Sequence, residues 1–194
     1  MSTAAFDNTM LSALLNPSGK PPRIPGTDTP VDFPKERAEG VVAAIEKANR
    51  KIILPTPACA ELLTAIGPDA QQYLNVVAKS RVFEVAAFDA RCAAELAILN
   101  REVFRQNDDK NKLEPYQKRK VDRQIVAICK VAGATEIYTD DGGLAERARI
   151  CGIKPISLSE CPVPEGARQI PLGLTEHEII PDAEDDEDSQ QAAE

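Results

Sequence analysis

Asp7, Glu61, Asp122 and the adjacent pair Asp140-Asp141 are the side chains in this chain best placed to do chemistry. Asp7, Glu61 and the pair each follow a short apolar segment that reads as a β-strand, and Asp122 lies on the helix leading into the last of those strands. Singly, each has an ordinary structural explanation. An acid in the first turn of a helix is favourable dipole chemistry, and Asp-Asp-Gly-Gly after a strand is common turn composition. Together they say more, because all strands of a parallel sheet present their carboxyl ends at one edge, where ligands bind. Carboxylates gathered there repel one another and raise one another's pKa. A hard divalent cation relieves that repulsion, and Mg2+ or Mn2+ suits oxygen ligands with water completing the shell. Such a metal activates water and stabilises a phosphoryl transition state.

The elements that must position these acids follow from periodicity and punctuation. Residues 3–7 read as a first strand ending in Asp7, followed by a short helix over 10–15 that Asn16-Pro17 stops. Residues 16–34 hold six of the fifteen prolines and read as an extended insertion too proline-rich for regular structure. A helix over 35–50 leads to a buried-type strand, 52–54, after which Thr56 is the expected N-cap and Pro57 the first helical residue. Glu61 falls one turn into that helix. Another helix starts at Pro68-Asp69, a third strand covers 82–88, and Asp89 caps a long helix to about Gln106. Residues 107–114 form a polar loop, and Pro115 opens the helix that carries Asp122. In that helix Val121, Ile125, Ile128, Cys129 and Ala132 make one apolar stripe, with Asp122 at its edge. A carboxylate beside a buried face needs a compensating cation or hydrogen bond. A strand over 135–139, a helix over 143–150 and a strand over 153–158 complete five strands interleaved with helices, the pattern of a parallel α/β sheet.

Composition limits the alternatives. The 194 residues suffice for one α/β domain with appendages. Aromatics are only 4% and Trp is absent, so the core must be Ala, Val, Ile and Leu. Cys59, Cys92, Cys129, Cys151 and Cys161 form no CxxC pair and read as reduced, mostly buried residues. The lone His177 stands in a Pro- and Glu-rich stretch, against two-histidine acid–base chemistry. No apolar run reaches membrane-spanning length and no signal core is present, so a cytoplasmic protein is expected. The net charge of −8 belongs largely to residues 182–194, which carry seven acids and no base, an expected disordered tail. In the body Lys118, Arg119, Lys120 and Arg123 surround Asp122, a basic collar compatible with a phosphate backbone as substrate.

Phe6-Asp7-Asn8-Thr9-Met10-Leu11, Leu54-Pro55-Thr56-Pro57 leading to Glu61-Leu62, Lys120-Val121-Asp122, and Tyr138-Thr139-Asp140-Asp141 together resemble the ordered motifs of PIN-domain nucleases, especially the VapC-like toxins. The resemblance spans roughly residues 1–158 and leaves 159–194 as a Pro-rich, then acidic tail. It implies a three-layer α/β/α domain with a parallel five-stranded sheet in the order 3-2-1-4-5, and Mg2+- or Mn2+-dependent endoribonuclease activity. It also implies Asp7, Glu61 and Asp122 as the acidic core, and Asp141 or Asp140 as the fourth acid. Thr9 and Thr139 are expected to support the acids by hydrogen bonding. A homodimer and a small antitoxin that plugs the acidic cleft are the implied partners. Two other readings compete: a haloacid-dehalogenase-like phosphatase, which needs a second acid where Thr9 stands, and a non-catalytic RNA- or protein-binding module on the same scaffold.

Overall fold

A computed structural model describes residues 3–16, 19–104 and 115–168. The acidic stretch 182–194, His177 and the polar loop expected at 107–114 lie outside the described residues. Five short parallel strands form one sheet in the order β3-β2-β1-β4-β5, with β1 at Thr3–Phe6, β2 at Ile52–Pro55, β3 at Phe83–Ala86, β4 at Ala134–Tyr138 and β5 at Lys154–Ile156. The order and the parallel pairing are as the resemblance implies.

The connections explain the layers. From β1 the chain steps outward through α1 (Asn8–Leu15) and α2 (Pro34–Lys47) to β2. It steps outward again through α3 (Thr56–Ile66) and α4 (Ala70–Lys79) to β3. It then crosses back through α5 (Ala90–Leu99) and α6 (Tyr116–Val131) to β4, and continues through α7 (Gly142–Ile150) to β5. Right-handed crossovers put the first four helices on one face and the next three on the other, and α1 packs on α2 and α3 while α6 packs on α5 and α7. The direction of winding reverses between β1 and β4, so a crevice opens there at the carboxyl edge.

The core is built as the composition requires. Ala4, Ala5 and Phe6 of β1, Ile52 and Leu54 of β2 and Ile137 of β4 are essentially inaccessible, the mark of a sheet covered on both faces. Phe6 meets Tyr138 edge-on, with ring centroids 5.3 Å apart. All five cysteines are free, and four are buried.

Several boundaries differ from expectation for physical reasons. Pro55 rather than Thr56 precedes the first turn of α3, and no side chain caps it. Pro57 lies at the second helical position, where its missing amide costs nothing. The helix capped by Asp89 ends at Leu99 and continues as a π-helical turn over Asn100–Phe104. Beyond the expected end at Leu158, a 3-10 turn (Leu158–Glu160) keeps the chain on the body, with Leu158, Cys161 and Val163 buried. Arg37 of α2 donates to the carbonyls of Ser159 and Cys161. Val163→Ala removes two buried methyl groups and is expected to lower stability by about 1–2 kcal/mol, measurable by urea unfolding. A neutral result would mean that this segment contributes nothing to the fold.

The proline-rich insertion is more ordered than its composition suggests. Ile24-Pro25-Gly26-Thr27 forms a turn in which the Thr27 amide donates to the Ile24 carbonyl at 3.0 Å and Gly26 has a φ of 78°. Proline followed by a residue with positive φ is the type II pattern. The two arms meet in an antiparallel bridge between Arg23 and Pro30, with amide bonds Ile24 to Thr29 and Val31 to Pro22, each 2.9 Å. Val31 is buried and Ile24 packs against the core, so the hairpin is pinned at its base.

Candidate active site at the carboxyl edge

Asp7 leaves β1 at the crevice and turns back as the N-cap of α1, its Oδ1 accepting from the Thr9 amide at 2.7 Å. Because Phe6 lies opposite Tyr138 in the β1–β4 register, the next residue on each strand is also a neighbour. The Thr139 hydroxyl accordingly donates to Asp7 Oδ2 and accepts from the Asp141 amide at 3.0 Å. Thr139 therefore ties the two acids together. Thr9 serves through its amide, and its side chain lines the open cleft beside it. Burial raises the Asp7 carboxyl to about 7, and the nearby Asp141 charge adds to this, while Thr139 and the Thr9 and Met10 amides oppose it.

Asp141 opens α7, its Oδ1 accepting from the amides of Gly143 and Leu144 at 2.8 and 3.0 Å. Its Oδ2 is 2.7 Å from the Lys118 ammonium. Burial pushes the Asp141 carboxyl up, but Lys118 and the two amides outweigh it, leaving it below the usual carboxylate range. Glu61 lies outermost, on α3. Partial burial and then the Asp141 charge raise its carboxyl, and Lys118 opposes them. The Asp141 charge thus acts on both Asp7 and Glu61, and Lys118 is the cation beside Asp141 and Glu61.

The other expected acids are placed differently. Asp122 is buried and accepts from Arg147 Nη1 at 2.9 Å, an ion pair whose side chains are 8% and 3% exposed. It lies one helical turn beyond Lys118 on the same side of α6, but its charge is met by Arg147 of α7. Asp140 turns away from Asp7: its Oδ1 accepts from the Ser157 hydroxyl at 2.6 Å and the Leu158 amide at 2.9 Å. Its Oδ2 is buried with no hydrogen-bond partner among the described residues. Of the two acids left open by sequence, Asp141 is the one in the field of Asp7 and Glu61.

The basic collar divides. Lys118 joins the acids, whereas Lys120, two residues on, is turned about 160° round the helix from it. Arg119 lies 6.0 Å over the Tyr116 ring, and Arg123 lies 5.1 Å over Phe104 and donates to Asn100 Oδ1 at 3.0 Å. Sequence reasoning missed Arg147. The signal was its place beside Leu144 and Ala148 on the buried side of α7, opposite a carboxylate that needed a cation. It also missed Lys20 and Arg23, which the hairpin brings to the cleft beside Asp140 and Asp141.

Whether a divalent metal fits can be judged from the donors. Among the described residues no three His, Cys, Asp or Glu side chains are placed to cage an ion directly. A buried Asp7 raised to about 7 next to Asp141 and Glu61 is nevertheless a set that a cation would stabilise. Mg2+ commonly binds through one or two carboxylates and several waters, and that outer arrangement fits this trio.

The fold is that of a PIN-like α/β/α domain. No protein-family model matches the chain, and no curated protein matches it. Among solved structures it is similar to a chain in the crystal structure of VapBC2 from Rickettsia felis bound to a DNA fragment from its promoter. That match covers 80% of this chain and 98% of the other, with a TM-score of 0.52 and 14% identity. A chain of DNA-bound VapBC from Salmonella typhimurium matches over 81% of this chain and 99% of its own, with a TM-score of 0.48 and 16% identity.

Proposed function

We propose that this protein is a Mg2+- or Mn2+-dependent endoribonuclease that hydrolyses RNA phosphodiester bonds, acting as the toxin of a toxin–antitoxin pair. The observation that carries this reading is the buried Asp7 tied through Thr139 to Asp141 at the crevice where the sheet reverses direction, with the Asp141 charge also acting on Glu61. Asp7, Asp141 and Glu61 would hold the metal, which when bound lowers the pKa of water and neutralises charge developing on the phosphoryl oxygens. The protein's own groups supply the rest. Thr139 fixes Asp7 Oδ2 and the Asp141 amide in one rigid unit. Glu61, exposed and with its carboxyl raised, is the group placed to take a proton from attacking water. Lys118 offsets the negative charge of an incoming phosphate beside Asp141.

A protein partner is part of the reading. No residue of α4 is buried, and exposed Leu74 of that helix and Val85 of β3 line one apolar groove with Tyr73 and Val77. An apolar face of this kind suits a small antitoxin or a second copy of the chain. Both similar structures are of VapBC complexes. No helix among the described residues is long and apolar enough to cross a membrane.

A non-catalytic RNA-binding module is the competing reading, favoured by the internal neutralisation of Asp122 by Arg147 and of Asp141 by Lys118. Incubating the purified protein with an oligoribonucleotide separates the two. Cleavage that needs millimolar Mg2+ or Mn2+ and stops with EDTA is the expected result, with the same metals raising the melting temperature by binding the native state. Intact RNA under all conditions, with no thermal shift, would leave the binding module.

A further inference from the structure

The hairpin between α1 and α2 forms one wall of a cleft of about 330 Å³. Lys20 and Arg23 come from the hairpin, Thr9 and Ser12 from the first turns of α1, and Asp140 and Asp141 from the end of β4. The acids on one side would repel a polyanion, so a strand enters only if cations face them. On the α6 side Lys118 already stands against Asp141. Lys20 and Arg23 supply the matching charge on the opposite side.

From this juxtaposition we propose that Lys20 and Arg23 form a phosphate-binding subsite for the RNA strand, holding a backbone phosphate next to the one presented to Asp7 and Asp141. The inference rests on the nuclease reading for its substrate, and it gives the insertion a function.

Three observations support a subsite built for this purpose. The hairpin is fixed by its type II turn, its bridge and the buried Val31, so the backbone of Arg23 is held near the cleft at little entropic cost, with Lys20 two residues before the hairpin's Pro22–Val31 hydrogen bond. Among the described residues Arg23 is paired only with the exposed Asp28, whose side chain is 96% accessible. An ion pair so open to water is weak, and a phosphate can take its place. Thr9 adds a hydroxyl on the third side, while the Ser12 hydroxyl beside it donates to Asn8 Oδ1 at 3.1 Å, and guanidinium, ammonium and hydroxyl together position phosphates without reading bases.

The test measures binding of a fluorescent single-stranded oligoribonucleotide to Asp7→Asn protein, where cleavage does not interfere. Lys20→Ala with Arg23→Ala is expected to weaken binding about tenfold and to flatten the dependence of log affinity on log salt by about 0.7, one phosphate contact on a single strand. Asp28→Asn, which releases Arg23, is expected to tighten binding. Lys154→Ala, which removes one positive charge at the start of β5 away from the cleft, serves as the control for the loss of charge alone. Equal affinity and salt slope for the double variant and its parent would overturn the proposal, as would an equal loss with Lys154→Ala. If the wild-type protein binds RNA through these residues but never cleaves it, the nuclease reading fails and the subsite stands. If it cleaves RNA and the double variant has an unchanged KM, the subsite fails alone.

Discussion

Asp7→Asn is expected to lower RNA cleavage at least about a hundredfold and, at pH 8, to raise the melting temperature. Loss of activity with a gain in stability is the signature of a charge buried for use rather than for folding. The direction follows from the Asp7 carboxyl, raised by burial and by Asp141 from 3.8 to about 7. Between those two values the folded protein holds a proton that the unfolded chain has released, so stability falls as pH rises through that range. The contribution is fully present below about pH 4 and gone above about pH 7. Asparagine removes the titration, so its advantage should be absent near pH 4, grow towards pH 7 and then level off. Its upper limit is about 4 kcal/mol at 1.36 kcal/mol per pKa unit. Thermal melts of both proteins from pH 4 to 8 would check this, and parallel curves would remove Asp7 from the list of strained acids.

Arg147→Met is expected to be the most damaging single change at the interface of α6 and α7. The ion pair with Asp122 is nearly inaccessible to water, and removing one partner of such a pair costs about 3–5 kcal/mol because the other charge stays buried. Replacing both, as Asp122→Leu with Arg147→Met, should recover most of that loss, since an apolar pair of similar volume is often as stable. Chemical denaturation of the two single variants and the double gives the coupling directly. The refolded double variant also reports on chemistry. If it cleaves RNA, Asp122 belongs to the frame; if it is folded and inert, Asp122 acts at the site as the sequence motif implies.

The sheet was legible because period, punctuation and length agree: short β-branched or apolar strands alternate with amphipathic helices, and the parallel arrangement follows from the connections. The neighbourhood of Asp7 and Asp141 was legible for the same reason, since strand ends share an edge. What the sequence left out was the direction each side chain takes on arrival. Asp140 and Asp141 are neighbours in the chain, yet one ties down Ser157 and Leu158 while the other meets Lys118. Only the register of β4 against β1 and the start of α7 separate them. Arg147 escaped notice because its partner is 25 residues away. Among its described residues before α2 the insertion holds no helix or strand, as its prolines imply, and what the sequence did not reveal is the defined turn that Pro25 makes before Gly26.

Asp141 both starts α7 and faces the cleft, and this double duty restricts what can replace it. Alanine would give up the helix start, worth about 1 kcal/mol at a typical N-cap, along with the charge. Asparagine or serine would keep the start and surrender only the charge. Lineages that lost the reaction but kept the scaffold should therefore carry Asn or Ser at this position, a mark of disuse that spares the architecture.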